Sequence, residues 1–246
     1  MLIDLTMPIS EDTASDPSHG RTPVFLTGTI AHDRPYPELG PRNPYDGSRV
    51  SFANAGIYMC DHTGTHIDAP LHADPDGQPV DALPLEYCFG PAVWLDLSEH
   101  CADHGELDAG HLEAAERRGG ERIRDGDILL LWTGWSTVLP DKQRYVMNHP
   151  GITQEAGEWI RSRGVRTLGI DTTTPDTLSN DLPAPVHANF LKPASIRPVV
   201  SNAPVIGIIE NVVNINRIPS RRFRFCGLPL PLVGLTGSPL RAVAEV

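Results

Sequence analysis

Basic residues are in short supply. Twenty Lys and Arg stand against 31 Asp and Glu, a formal charge of −11, whereas a nucleic-acid binder needs clustered cations to neutralise phosphates. The densest basic stretch, Arg217 to Arg224, reads as a solvated loop, and no nucleic-acid partner is expected. Cysteines are few: Cys60, Cys88, Cys101 and Cys226 are scattered and form no C-x-x-C pair. That excludes a zinc ribbon or a small disulfide scaffold and fits a reducing, cytoplasmic compartment. Long apolar runs are missing too. Nothing approaches the roughly 20 residues that a membrane helix needs, so no membrane partner is expected. The opening MLIDLTMPIS has no basic stretch leading into an apolar core, and it is not expected to be a secretory signal.

Turn-forming residues, by contrast, are plentiful. The 24 prolines and 22 glycines are spread along all 246 residues rather than gathered in a linker. With no internal repeat and no low-complexity block, a single domain spanning 1–246 is the simplest organisation. The polar, Pro- and Gly-dense stretch Ala31–Ser48 reads as a long excursion, either a functional lid or an ordered surface loop.

Four short apolar runs predict buried strands: Ala92–Leu97, Ile128–Trp132, Thr167–Ile170 and Val205–Ile209. Two segments predict helices. Asp108 precedes AGHLEAAERRGG, which Gly119 and Gly120 stop; Thr153 precedes QEAGEWIRSRG, which Gly164 closes. Such alternation predicts an α/β fold, and the extra short strands of the Pro-rich N-terminal third predict mixed sheets. Trp94, Trp132, Trp135 and Trp159 are candidates for an aromatic pocket wall, although Trp94 and Trp132 fall in predicted strands, which favours the core.

The chemistry concentrates in Asp61-His-Thr-Gly-Thr-His-Ile-Asp-Ala-Pro-Leu-His72, which holds three of the ten histidines. Imidazole and carboxylate together suit Zn²⁺, Mn²⁺ or Fe²⁺. A helix is excluded: Asp68 would lie about 200° around from His66, and Pro70 would break the turn. On a strand, residues 62, 66, 68 and 72 share one face, but a straight strand separates His62 from His66 by roughly 13 Å. Gly64 can supply the kink that shortens this path. The expected arrangement is a kinked extended segment with His62, His66 and Asp68 as ligands, and with His72, after a proline, beside the metal. Glu210 ends the apolar run Val205–Ile209, where a buried carboxylate needs a cation, a proton or hydrogen bonds. His187 is presented by the proline-rich Leu182-Pro-Ala-Pro-Val-His187.

His62-Thr-Gly-Thr-His66-Ile-Asp68-Ala-Pro70-Leu-His72, followed by Asp76-Gly77, resembles the H-x-G-T-H-x-D-x-P-x-H signature of the metal-dependent cyclase family, which includes bacterial kynurenine formamidases and isatin hydrolases. Ile3–Ile9, Gly169–Thr172, Pro185–His187, Ile209–Asn214 and Gly237–Ala244 resemble further landmarks in the same order, so the likeness covers nearly the whole chain. It implies a swivelling α/β fold of β/β/α type, with mixed sheets around a barrel-like core. It implies metal ligands at His62, His66 and Asp68, with His187 and Glu210 completing a second site where two ions are bound. It further implies a catalytic role for His72, a pocket position for Ser238, a zinc or manganese cofactor of one or two ions per chain, and a homodimer or homotetramer. The Ala31–Ser48 excursion is longer than in the compact formamidases and closer to relatives that open other rings.

The expected activity is hydrolysis of a cyclic amide, a lactone or an N-acyl arylamine of a small molecule through a metal-activated water. The rival within enzymes is a dehydrative cyclase of a secondary-metabolite pathway. The rival outside them is a metal- or ligand-binding module without catalysis, which the intact six-residue set disfavours.

Overall fold

In the computed structural model, residues 1–14, 22–30, 45, 53–177, 184–192 and 204–246 are described. Apart from exposed Tyr45, the Ala31–Ser48 excursion lies outside them. In chain order the strands are β1 (Leu2–Asp4), β2 (Phe25–Ile30), β3 (Asn54–Tyr58), β4 (His66–Asp68), β5 (Phe89–Asp96), β6 (Glu106–Leu107) and β7 (Ile128–Trp132). They continue with β8 (Gly151–Ile152), β9 (Thr167–Ile170), β10 (Gly207–Glu210), β11 (Arg222–Cys226), β12 (Gly237–Pro239) and β13 (Val243–Glu245). The helices are α1 (Ala109–Gly119), α2 (Lys142–Met147), α3 (Gln154–Ser162) and α4 (Pro185–Leu191).

The four apolar runs become the centre of a nine-stranded sheet, ordered β1-β13-β11-β5-β7-β9-β10-β4-β12. Strands β5, β7, β9 and β10 run parallel, and every other pairing in this sheet is antiparallel. The sheet is therefore mixed, as expected. It also curls. Val213 N–H donates to the Leu5 carbonyl at 3.0 Å, and Thr6 bridges Val212. These contacts join the chain just after β1 to the chain just after β10, from opposite halves of the sheet, and give a half-barrel.

Alternation along the central strands divides the core in two. Val93, Leu95, Leu129, Leu131, Leu168 and Ile170 pack against Leu112, Ile160, Val186 and Phe190 of the helices. Ala92, Trp94, Ile128, Leu130 and Ile209 face the interior of the curl with Ile67 and Phe225. Both sides are apolar because a parallel centre is covered on both faces.

The helix signals are realised locally. Asp108 Oδ1 accepts from His111 N–H at 2.9 Å and His111 Nδ1 accepts from Asp108 N–H at 3.2 Å, a reciprocal capping box. Gly120, at φ 73°, closes α1 in the left-handed region. Thr153 caps α3 through Ala156 N–H at 3.2 Å.

One expectation needs correction. The Arg217–Arg224 stretch is not simply a solvated loop, since it contains part of β11. Arg222 forks onto Asp127, with Nη2 donating to Oδ1 at 2.6 Å and Nη1 to Oδ2 at 3.0 Å. Arg221 lies 3.5 Å over the Trp94 ring, a planar guanidinium stacking as lysine cannot. Trp94 and Trp132 belong to the core, as their strand positions favoured, with ring centroids 6.2 Å apart in a T-shaped contact. Trp94 and Trp135 are buried, with indole N–H groups donating to the Ser220 and Tyr145 carbonyls, and Trp159 donates to Glu113. Among the described residues, no helix is long and apolar enough to cross a membrane.

Asp108→Ala removes one half of the capping box and strands the other. It should lower stability by about 1 kcal/mol, read as a shift of the urea midpoint at unchanged slope.

Candidate metal centre

Strand β4 is three residues long and sits between β10 and β12. Its central Ile67 points into the interior of the curl, so His66 and Asp68 point to the opposite, helix-covered face. Register then adds a carboxylate: Glu210 is the cross-strand partner of His66, and paired residues share a face. Helix α4 brings His187 over this face. His62 arrives from the turn before β4, and His72 from a single 3₁₀ turn, Pro70–His72, after it. The expected kink is a turn at Asp61–His62 followed by a bend at Gly64, at φ 66°, so only residues 66–68 stay extended.

The side chains converge on Asp68. His62 Nδ1 is 2.7 Å and His66 Nε2 3.3 Å from Asp68 Oδ1. His187 Nε2 is 3.4 Å from Asp68 Oδ2. Glu210 closes the ring, Oε2 lying 3.3 Å from His66 Nε2 and Oε1 3.5 Å from His187 Nε2. Asp68, His66 and Glu210 are 2% exposed or less.

The far nitrogen of each imidazole decides what its near nitrogen offers. His66 Nδ1 lies 2.9 Å from the Gly64 carbonyl, which can only accept, so Nδ1 carries the proton. His187 Nδ1 donates to the Asp176 carboxylate. Thr236 Oγ1 donates to Asp61 Oδ2 at 2.9 Å and therefore accepts from His62 Nε2–H at 2.9 Å. In the neutral rings the remaining nitrogens, His62 Nδ1, His66 Nε2 and His187 Nε2, all present lone pairs to the two buried carboxylates. Acceptors facing acceptors need a cation between them. Asp68 Oδ2 and Glu210 Oε1 are buried and accept no well-formed hydrogen bond, a second sign of the same demand. Three imidazoles and two carboxylates, without thiolate, fit a divalent ion such as zinc or manganese. Two ligand groupings close within 4.8 Å, His62–Asp68–His72 and His66–Asp68–Glu210, and Asp68 belongs to both.

Without an ion, protons occupy this space. Burial pulls His66 down, but hydrogen bonding and charge from Asp68 and Glu210 outweigh it and hold the imidazole well above its ordinary 6.5. His187 is likewise held well above 6.5, because Asp176 and Asp68 outweigh its burial. Burial raises Asp68, yet the imidazoles of His187, His62 and His66 prevail and keep it well below 3.8. Burial and the neighbouring Asp68 charge push Glu210 up.

His72 is half-buried, its ring 4.2 Å from that of His62 and 5.5 Å from that of His187. Of the six clustered residues it is the only one not buried. Ser238 is not brought to the cluster. It pairs with Ile67 and shares that residue's inward face, and its hydroxyl accepts from Leu230 N–H and donates to the Pro239 carbonyl. The neighbouring Gly237 matters more here, since a Cβ there would lie 2.8 Å from His62 Cε1. Asp176 and Thr236, which fix two imidazoles, carry no motif visible in the sequence.

The model of the Cyclase family matches residues 3–177. A kynurenine formamidase of Bacillus mycoides (strain KBAB4) is 31% identical over 98% of this chain and 95% of its own length. Isatin hydrolase A from Ralstonia solanacearum superposes with a TM-score of 0.78 at 28% identity, covering 99% of this chain and 91% of that one. Isatin hydrolase A from Labrenzia aggregata, bound to benzyl benzoate, gives 0.75 at 25% identity over 99% and 93%. The chain belongs to the cyclase family.

A cation entering this centre displaces protons from His66 and His187, so affinity should rise with pH. The raised folded-state pKa values of these two groups stabilise the metal-free fold below about pH 6.5, and that contribution fades as pH climbs through the raised values. Chelated protein should therefore lose melting temperature above pH 6.5, while the gain on adding zinc grows. A zinc-induced gain that stays flat with pH would contradict this proton–metal exchange.

Proposed function

We propose that this chain is a metal-dependent amide hydrolase acting on a small cyclic amide or lactone, or on an N-acyl arylamine. One observation carries the reading: three imidazoles, each fixed through its outer nitrogen, direct their inner lone pairs at two buried carboxylates. End-to-end similarity to kynurenine formamidases and isatin hydrolases supports the bond type. His62, His66, Asp68, His187 and Glu210 are assigned as ligands for one or two zinc or manganese ions. An ion held there would acidify a water and polarise the scissile carbonyl.

His72 is assigned as the proton carrier. Its half-buried position beside the cluster supports a role in taking a proton from the attacking water and returning it to the leaving nitrogen or oxygen. Asp61 through Thr236, the Gly64 carbonyl and Asp176 keep the other three rings in one tautomer, so those rings do not compete for that proton. Burial of Asp68 and Glu210 keeps bulk water from weakening the electrostatics of the centre.

The assembly is assigned as a homodimer or homotetramer. The β2–β3 ribbon supports this: Phe25 pairs with Tyr58 and Leu26 with Ile57, all four between 45% and 63% exposed. Each face thus carries an apolar pair, and a two-stranded ribbon is marginal in water without cover.

Protein purified without chelator should contain one or two zinc or manganese ions per chain and open isatin or cleave an N-formyl arylamine. His72→Ala should keep the metal and lose about 10²–10⁴ in turnover, whereas Asp68→Ala should lose metal. Metal lost with activity in His72→Ala would make His72 a ligand, and a protein with neither metal nor hydrolysis would overturn the reading. Light scattering should give two or four chains per particle, and Ile57→Lys should shift it towards monomer; a wild-type monomer would refute the assembly.

A further inference from the structure

The carbonyl that fixes His66 is itself fixed. Gly64 O accepts from His66 Nδ1–H at 2.9 Å and also from Asn211 Nδ2–H at 3.0 Å. Asn211 follows Glu210 directly and is 7% exposed. It sits at φ 57°, in the left-handed region that asparagine enters more readily than most residues. Every polar group it has is engaged. Because Gly64 O can only accept, the amide nitrogen must face it. The amide oxygen is then left to the Tyr145 hydroxyl, which donates at 3.0 Å. The Asn211 main-chain N–H donates to the Thr172 carbonyl at 2.9 Å, and its own carbonyl accepts from Thr65 Oγ1 at 2.7 Å. Thr65 Oγ1 in turn accepts from Met7 N–H at 2.7 Å.

Tyr145 is equally constrained. It is fully buried, its hydroxyl lies 3.2 Å from the Asp171 carbonyl, and its own carbonyl accepts the Trp135 indole N–H at 2.8 Å. The Asp171 carboxylate accepts from the Thr133 and Ser136 main-chain N–H groups and hydroxyls. A rigid frame at the ends of β7 and β9 therefore holds Tyr145, which holds Asn211, which holds the Gly64 turn. That turn presents His66, while the main chain of Asn211 is bonded directly to Glu210.

We propose that Asn211, braced by Tyr145, is the positioning residue that sets the metal affinity of the His66–Asp68–Glu210 grouping. It fixes one ligand by hydrogen bond and the next by main-chain conformation, so a single side chain governs their separation. This role rests on the metal reading above.

The test measures zinc affinity by chelator competition and the visible absorption of the cobalt-substituted protein. Asn211→Gly keeps the left-handed backbone accessible and removes the side chain; Asn211→Asp replaces the donor facing Gly64 with a carboxylate oxygen that the carbonyl repels. Both should bind zinc about 10–100-fold more weakly and shift the cobalt bands. Tyr145→Phe, which deletes one hydroxyl, should change both readouts in the same direction by less, and it carries the test if Asn211→Gly does not fold. Asp127→Asn, which breaks the distant Arg222 pair, should lower the melting temperature without changing affinity or bands. Wild-type affinity and bands in the Asn211 variants, with only a lower melting temperature, would overturn the positioning role. Equal weakening in Asp127→Asn would do the same. A wild-type chain that takes up neither zinc nor cobalt would instead overturn the metal reading, and this role with it.

Discussion

Two carboxylates and three imidazole lone pairs are pressed together with little exposure to bulk solvent, and this arrangement is unfavourable unless positive charge lies between them. Burying an ionised carboxylate without compensation costs several kcal/mol, and here Asp68 and Glu210 are buried side by side. The outward hydrogen bonds to Thr236, Gly64 and Asp176 prevent the simplest relief, a tautomer shift that would offer N–H instead of a lone pair. The fold thus holds the cluster in a state that only a cation or added protons make tolerable. The upward displacement of His66 and His187 is the metal-free form of the same constraint.

The sheet makes this possible by placing a three-residue antiparallel strand beside a parallel one. β10 ends at Glu210, and the reversed direction of β4 sets His66 directly across from it. On the other side, β12 contributes Gly237 opposite Asp68, and the lack of a side chain there leaves room for the His62 ring. Helix α4 is short and begins after Ala184 at φ 50°, with Val186 N–H donating to Asp176 Oδ1 at 2.6 Å. One carboxylate therefore caps the helix and fixes the histidine that the helix carries.

Much of this was legible in the sequence because the relevant signals are local. The runs Ile128–Trp132 and Thr167–Ile170 match β7 and β9 residue for residue, and the caps Asp108 and Thr153 mark true helix starts. The histidine motif announced itself because four of the clustered side chains lie within eleven residues, 62 to 72. What stayed hidden depends on distant partners. The cap of α4 is Asp176, ten positions before Val186, and α2 has only six residues, too few for a helical period to show. Thr236 is 174 positions from the ring it fixes. Ser238 followed from sequence likeness, yet strand alternation turns its side chain away from the cluster, and motif order alone does not encode a facing direction.

Asp68 stands in both ligand groupings and touches three imidazoles at once. Its shared position makes the centre a thermodynamically coupled unit rather than a sum of contacts. Removing any one ring changes the charge and orientation that the carboxylate offers to the other two, so losses from paired substitutions should fall short of their arithmetic total. Drift at one ligand is then felt across the whole centre, which leaves the walls around it as the place where selectivity can change while the chemistry is preserved.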